Sequence, residues 1–234
     1  MSSVEAPART VLVDIRDVSK SYRRGAEDVH ALRGVSLSLV PGEVVALFGP
    51  SGSGKSTLLN VLAGWERPDD GQALWTASGT SASLVSRPWS DVGILPQTMG
   101  LIEELSVREN VHLPLRLARR KLGAGDAERR VTGFLSFLGL DALADRSPGE
   151  ISIGEQQRTA LARSLILAPR LLLADEPTGH QDEGWAKRVF RLLQLVAQRG
   201  TTCFIATHNE EAIRIADRVL AIRDGQIQSG ASAE

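Results

Sequence analysis

Apolar positions along the chain fall into two kinds of pattern. Short blocks at Val11 to Val18, Val35 to Val40 and Val44 to Phe48, alternating with polar residues or running together between Gly and Pro, predict strands. Between Val107 and Gly139 the spacing lengthens to that of helices. Val111, Leu115 and Ala118 share one face, and Val131, Leu135 and Leu138 share another after the break at Gly123-Ala124-Gly125. Beyond this helical lobe the two patterns alternate: helix from Glu155 to Leu167, strand Leu171 to Ala174, helix Trp185 to Gln198, strand Thr202 to Ala206, helix Glu210 to Ala216, strand Arg218 to Ile222. Such alternation predicts an α/β fold with a parallel-sheet core and crossover helices. Thr76 to Ser86, rich in Ser, Thr and Ala, reads as a surface loop, and Ser229 to Glu234 as a frayed end.

Composition narrows the class. A length of 234 residues suits one large domain or one domain with an inserted lobe. With 42% hydrophobic and 24% charged residues, collagen-like, disordered and disulfide-scaffold classes are excluded. The single Cys203 lies in an apolar run and reads as a reduced, buried thiol of a cytosolic protein. A net charge of −1 supplies no global basic field, so nucleic acid is not expected as the main partner. Met1 to Thr10 has no charged start followed by an apolar stretch, and no run reaches the roughly 18 apolar residues of a membrane span. Work at a membrane would need a separate subunit. Arg116, Arg119, Arg120, Lys121, Arg129 and Arg130 cluster in the helical lobe and read as a solvated face, with contact to acidic lipid or a partner as the competing reading.

Two segments carry chemistry. Gly49-Pro50-Ser51-Gly52-Ser53-Gly54-Lys55-Ser56 fits GxxxxGK(S/T), follows a predicted strand and opens a helix containing Leu58, Leu59 and Leu62. Its glycines let successive N–H groups curl toward a polyphosphate; Lys55 supplies charge for the β- and γ-phosphates, and Ser56 a hydroxyl for Mg²⁺. The second segment, Leu171-Leu172-Leu173-Ala174-Asp175-Glu176, is an apolar strand ending in two acids. Adjacent carboxylates repel unless a cation is near, and this strand edge is where open α/β sheets bind ligands. Asp175 therefore suits the Mg²⁺ shell, and Glu176 a base or water-orienting group at the γ-phosphate.

With these motifs in place, Ile151-Ser152-Ile153-Gly154-Glu155-Gln156-Gln157-Arg158 resembles the signature segment of the ATP-binding subunits of ABC transporters, LSGGQ or LSGGE followed by QQR. The resemblance covers residues 11 to 228. It implies a P-loop NTPase with an N-terminal antiparallel β subdomain, a parallel-sheet core and an α-helical subdomain inserted at about 98 to 168, the ends 1 to 10 and 229 to 234 being tails. It also extends the nucleotide contacts to Thr57 and implies that Gln97 is the Q-loop residue and an Mg²⁺ ligand, Asp182 the D-loop acid, and His208 the switch histidine. Tyr22 falls where the family sets an aromatic ring on adenine. The family binds ATP with Mg²⁺ between two cassettes, so Ser152, Gly154 and Asp182 would meet the nucleotide held by the phosphate loop of a second copy or a paralogous ATPase. Ser152 and Glu155 also form an S-x-x-E capping box, a purely structural role compatible with that one.

The sequence departs from the family at Ile153, in place of the first signature glycine, and at His180-Gln181 before Asp182, where relatives more often have Asn-Leu. Because β-branched residues avoid positive φ, position 153 is expected to need no left-handed backbone. Pro177-Thr178-Gly179, the run from Gly154 to Arg158 and Val107 to Leu115 most resemble the lipoprotein-release, macrolide-export and cell-division branch. That implies multi-span membrane subunits as partners, an extracytoplasmic binding or lipoprotein component as a further one, and a peripheral location on the cytoplasmic face of the cell membrane. The competing reading is a soluble ABC ATPase acting on DNA or ribosomes, which would ordinarily carry coiled-coil insertions or a second cassette.

Overall fold

A computed structural model describes residues 11–25, 27–76, 81–118 and 123–228. The first strands are β1 (Val13–Arg24), β2 (Glu27–Leu39), β3 (Val44–Phe48) and β4 (Asp70–Trp75), with helix α1 (Lys55–Leu62) between β3 and β4. A two-residue β5 (Ala82–Ser83) and β6 (Val92–Leu95) follow. Then come α2 (Val107–Leu117), α3 (Ala124–Phe137), α4 (Ile153–Leu165), β7 (Leu171–Asp175), α5 (Glu183–Gln198), β8 (Thr202–Ala206), α6 (Glu211–Ile215), β9 (Arg218–Arg223) and β10 (Gln226–Gln228).

One sheet has the order β2-β1-β4-β5 and is antiparallel; the other has the order β10-β9-β3-β8-β7-β6, parallel except for β10. The apolar runs of β3, β7 and β8 bury both faces. Val44, Ala46, Leu172, Ala174, Cys203 and Ile205 face a core shared with α2 to α5, while Val45, Leu47, Leu171, Leu173, Phe204 and Ala206 face one shared with α1 and the antiparallel sheet. A strand packed on both sides has no polar face, hence continuous hydrophobicity rather than alternation. Cys203 is buried, and burial pushes its thiol pKa up to about 12, as suits an inert core group.

The fold corrects several sequence expectations. The first hairpin runs well past Val18, because polar residues of β1 pair with β2 from Lys20–Leu32 to Arg24–Glu27. This ribbon is held by backbone bonds and buries little, so it leaves no hydrophobic period to read. The strands β4 and β10 were likewise not expected. The Thr76 to Ser86 segment is not simply a surface loop: it holds β5, and Leu84 is buried beneath it. Residues 77–80 of that segment, the 1–10 and 229–234 ends, and Arg119, Arg120 and Lys121 of the basic cluster lie outside the described residues. Arg129 pairs with Asp126, whereas Arg130 is half-buried and leaves the solvated face expected for it.

Among the described residues, no helix is long and apolar enough to cross a membrane.

Candidate nucleotide site

The loop between β3 and α1 closes on itself without room for side chains. A Cβ on Gly49 would lie 2.3 Å from the Ile222 carbonyl oxygen, and one on Gly54 2.4 Å from that of Ala31. Gly54 also sits at φ 105°, a region closed to branched residues. These glycines bring the N-terminus of α1 to the surface with no side-chain cap and no acid in its first turn. By contrast α2, α4 and α5 are capped by Ser106, Ser152 and Asp182. The uncapped N–H groups and the positive end of the helix dipole make α1 the anion-seeking helix of this edge. The Lys55 ammonium lies across the loop, donating to the carbonyl oxygens of Gly49 at 2.6 Å and Pro50 at 2.9 Å. A cradle of this kind fits phosphate oxygens.

Around it opens a cleft of about 440 Å³, lined by Gly49, Pro50, Ser51, Gly52, Gly54, Lys55, Ser56 and Thr57 from the loop, and by Gln97, Asp175, Glu176 and His208 from the ends of β6, β7 and β8. Ser53 is buried under the loop, with no hydrogen-bond partner for its hydroxyl among the described residues. Ser56 Oγ donates to Asp175 Oδ2 at 3.0 Å. Burial, and then the neighbouring Glu176 charge, raise the Asp175 pKa against the opposing Ser56 hydrogen bond and Lys55. A hydroxyl and a partly desolvated carboxylate are the all-oxygen donors that a hard divalent cation takes beside phosphates, and a cation there would relieve the strain on Asp175.

Glu176 has left-handed backbone at φ 51°. Its N–H donates to Ala206 O at 2.8 Å and its carbonyl accepts from Gln157 Nε2 at 2.8 Å, and these two bonds hold the uncommon conformation. The carboxylate accepts from Thr207 Oγ1 at 2.9 Å, and His208 Nδ1 lies 2.8 Å from its other oxygen. Since a carboxylate only accepts, Nδ1 carries the proton, leaving Nε2 of the exposed ring for a ligand. The roles of Thr207 and Gln157 were missed in the sequence. Gln157 stood inside a recognised motif, but nothing in the chain order marks its amide as the one that reaches Glu176.

Gln97 is exposed just after β6. The segment beyond it is tied down by Arg163 of α4, which donates to Met99 O at 2.7 Å and Gly100 O at 2.8 Å, and by buried Asn110 of α2, bonded to both N–H and C=O of Ile102. Tyr22 lies on the ribbon opposite Val29, which lines the cleft together with His30 and Ala31, whereas Tyr22 itself does not; Lys20 Nζ stands 5.6 Å from its ring centroid.

Ser152, Gly154 and Asp182 form a second group, away from the cleft lining. The expected capping box is present: Glu155 N donates to Ser152 Oγ at 3.3 Å, and Ser152 N to Glu155 Oε2 at 2.8 Å. The Ser152 N–H and the Ser152 hydroxyl, which both donate to Glu155 Oε2 at 2.8 Å, lower the Glu155 pKa. Ile153 opens α4 without left-handed backbone, and the residue is 56% exposed. The unusual Gln181 is also accounted for. Its amide donates to Gly154 O at 2.8 Å and Gln157 Oε1 at 2.9 Å and accepts from Arg158 Nη1 at 2.9 Å, clasping α4 to the loop that carries Asp182. Arg158 in turn stacks 4.0 Å from the Trp185 ring, which Arg188 approaches at 4.8 Å.

A glycine-cradled anion site beside paired acids at the carboxyl edge of a parallel sheet, with an antiparallel sheet and a helical lobe attached, defines an ATP-hydrolysing P-loop cassette. The chain belongs to the ABC transporter family, whose pattern it matches over residues 32–179, and it is an ATP-binding, ATP-hydrolysing subunit of that family. It is 42% identical over 221 residues to the lipoprotein-releasing system ATP-binding protein LolD 2 of Caulobacter vibrioides, covering 92% of this chain and 95% of that one. It is 37% identical to the macrolide export ATP-binding/permease protein MacB of Syntrophobacter fumaroxidans, over 95% of this chain but only 32% of that longer one. A solved dimeric, post-hydrolysis structure of the ATP-binding cassette MJ0796 bound to ADP and Pi superposes with a TM-score of 0.84 at 31% identity, covering 93% of this chain and 97% of that chain. The expected fold and branch are thereby borne out.

Proposed function

We propose that two cassettes close around two Mg-ATP, each held between the phosphate loop of one chain and the signature helix α4 of the other, and that closure and reopening drive separate membrane subunits. In this reading residues 11 to 228 form the ATP-binding unit, with the helical subdomain at about 98 to 168. The loop from Gly49 to Thr57 binds the phosphates and Lys55 neutralises their charge. Ser56, Asp175 and Gln97 would hold Mg²⁺, which supplies Lewis-acid stabilisation of phosphate charge when bound. Glu176 orients and deprotonates the attacking water, and His208, fixed through Nδ1, presents Nε2 to the γ-phosphate. Tyr22 contacts adenine from the rim of the cleft. Ser152, Gly154 and Asp182 face the nucleotide on the opposite chain. The partners are membrane permease subunits and a second ATPase chain, in lipoprotein release, export or mechanical transmission across a membrane, and the chain works peripherally on the membrane's cytoplasmic face. An extracytoplasmic or lipoprotein component completes the complex, and nucleic acid is no partner.

The observation that carries the catalytic part is that Glu176 and His208, hydrogen-bonded to each other with buried Thr207 donating to Glu176 from behind, share one cleft with Lys55, Ser56 and Asp175. Glu176→Gln tests it: the amide keeps the shape and loses the base, so hydrolysis should fall on the order of 10²- to 10⁴-fold with ATP affinity retained. Unchanged single-turnover hydrolysis would assign the water to another group.

A further inference from the structure

A second cavity lies apart from the nucleotide cleft. It is a groove of about 940 Å³ between α3 and α5, floored by Leu165 at the end of α4 and by the Ala168–Arg170 loop that leads into β7. Its α3 wall is one helical stripe, Asp126, Arg129, Arg130, Gly133, Phe134 and Phe137, at the spacings of a single face. The opposite wall is the α5 stripe with Leu192 and Val196, ending in Arg199.

Two features of the groove have no explanation within the chain. The first is its charge. Arg129 pairs with Asp126 and Arg170 sets its guanidinium 5.9 Å from the Trp75 ring, but Arg130 and Arg199 line the groove without a carboxylate partner among the described residues. Arg130 is half-buried, and both its burial and the nearby Arg199 charge disfavour its charged form. Two guanidiniums facing each other across a partly desolvated groove repel, and an anion between them turns that repulsion into charge-assisted hydrogen bonding. The second is Gly133. A glycine inside a helix costs about 1 kcal/mol relative to alanine, yet a Cβ at 133 would meet nothing within 4 Å. No intramolecular packing requires the glycine. It keeps the α3 wall bare beside Phe134 and Phe137, where an occupant can approach the helix backbone.

We propose that this groove is a binding site for an amphipathic anion, its phosphate or carboxylate head held by Arg130 and Arg199 and its apolar part laid along Phe134, Phe137, Leu192 and Val196. The volume is that of a site for a small molecule, about 300–1,000 Å³. Because α3 contributes one wall and α5 the other, an occupant pins the helical lobe to the parallel-sheet core. The site is independent of the nucleotide cleft, with which it shares no lining residue.

The test is titration with decyl phosphate below its micelle concentration, followed by calorimetry and by thermal unfolding, with saturating ADP present to occupy the phosphate loop. Inorganic phosphate and uncharged decyl maltoside are run in parallel, and phosphatidylglycerol vesicles are compared with phosphatidylcholine vesicles. Saturable binding of decyl phosphate is expected, at least tenfold tighter than either control. It should weaken tenfold or more in Arg130→Gln and in Arg199→Gln, and be lost in Gly133→Leu, whose added side chain enters open space and leaves the fold intact by circular dichroism and melting. Should either arginine variant fold poorly, Gly133→Leu carries the test alone. Stronger binding to the monomeric probe assigns the source to a free amphiphile; stronger Gly133-sensitive binding to phosphatidylglycerol vesicles assigns it to a bilayer lipid. Absence of saturable binding to either source overturns the proposal, as does equal affinity for a control or for the Gly133→Leu variant.

Discussion

Gly133 and Gly154 each occupy a helix, and replacing either with alanine makes the same chemical change, but the two substitutions should move stability in opposite directions. At Gly133 the new methyl meets nothing within 4 Å. The gain is the helix-propensity and unfolded-state-entropy difference, about 0.4–1 kcal/mol. At Gly154 the Cβ would stand 2.7 Å from the backbone carbonyl oxygen of His180, a contact that cannot persist, and a backbone atom cannot swing aside as a side chain can. The loop must move off α4. Overpacking costs about 1–3 kcal/mol, and the Gln181 bond to Gly154 O, worth about 1 kcal/mol, is stretched or lost. Gly154 is the second residue of α4, where much of the propensity gain does not apply, so the net change is a loss of about 1–3 kcal/mol. For a domain of this size about 1 kcal/mol moves the melting temperature by about 2–4 °C. Denaturant unfolding of both variants beside the parent reads the difference directly. ATP turnover should fall with Gly154→Ala, because the displaced loop carries Asp182, and stay near the parent value with Gly133→Ala. Equal stability of the two variants, or a destabilised Gly133→Ala, would refute the reasoning that the approach of the 180 carbonyl, rather than helix propensity, decides the cost.

Lys55→Ala should abolish tight ATP binding and hydrolysis while leaving the unfolding transition near that of the parent, a split that paired binding and melting measurements will show. Ser152→Arg should leave ATP binding to the isolated chain intact and suppress hydrolysis in the assembled dimer, since it places bulk and charge where the opposite chain's nucleotide must dock; turnover at the parent rate in the assembled complex would remove the trans role of α4. Gln181→Ala removes three hydrogen bonds between α4 and the Asp182 loop and should cost about 1–3 kcal/mol, with turnover falling more than ATP affinity. Asp175 titrates above its ordinary value of 3.8 in the fold, so its contribution to stability is present at low pH and is lost as pH rises through the raised value. Asp175→Asn should therefore raise the melting temperature of the nucleotide-free protein at neutral pH, with the gain vanishing below the ordinary aspartate value, while weakening Mg²⁺-dependent ATP binding. A thermal-melt series across pH, with and without Mg-ATP, measures both effects.

Parts whose chemistry is local can be read from residue order alone. The phosphate loop is legible because its glycines, lysine and serine must be contiguous to curl around an anion. The Ser152–Glu155 capping box is legible because its partners lie three residues apart, and the strands β3, β7 and β8 because burial on both faces leaves unbroken apolar runs. Ile153 could be judged compatible with α4 from the steric rule for β-branched residues alone. Features that depend on neighbours distant in the chain emerge only once it is folded. Only the fold sets Gln157 against the Glu176 carbonyl and Thr207 against its carboxylate, turning a residue with unfavourable backbone into a fixed one. Only the fold gives Gln181 three partners on α4, and makes Gly154 obligatory but Gly133 free. The ribbon of β1 and β2 beyond Val18 was illegible for the complementary reason: its pairing is backbone to backbone, with no buried face to impress a period on the side chains. Arg130 read as solvated because sequence spacing cannot show that α5 brings Arg199 to meet it.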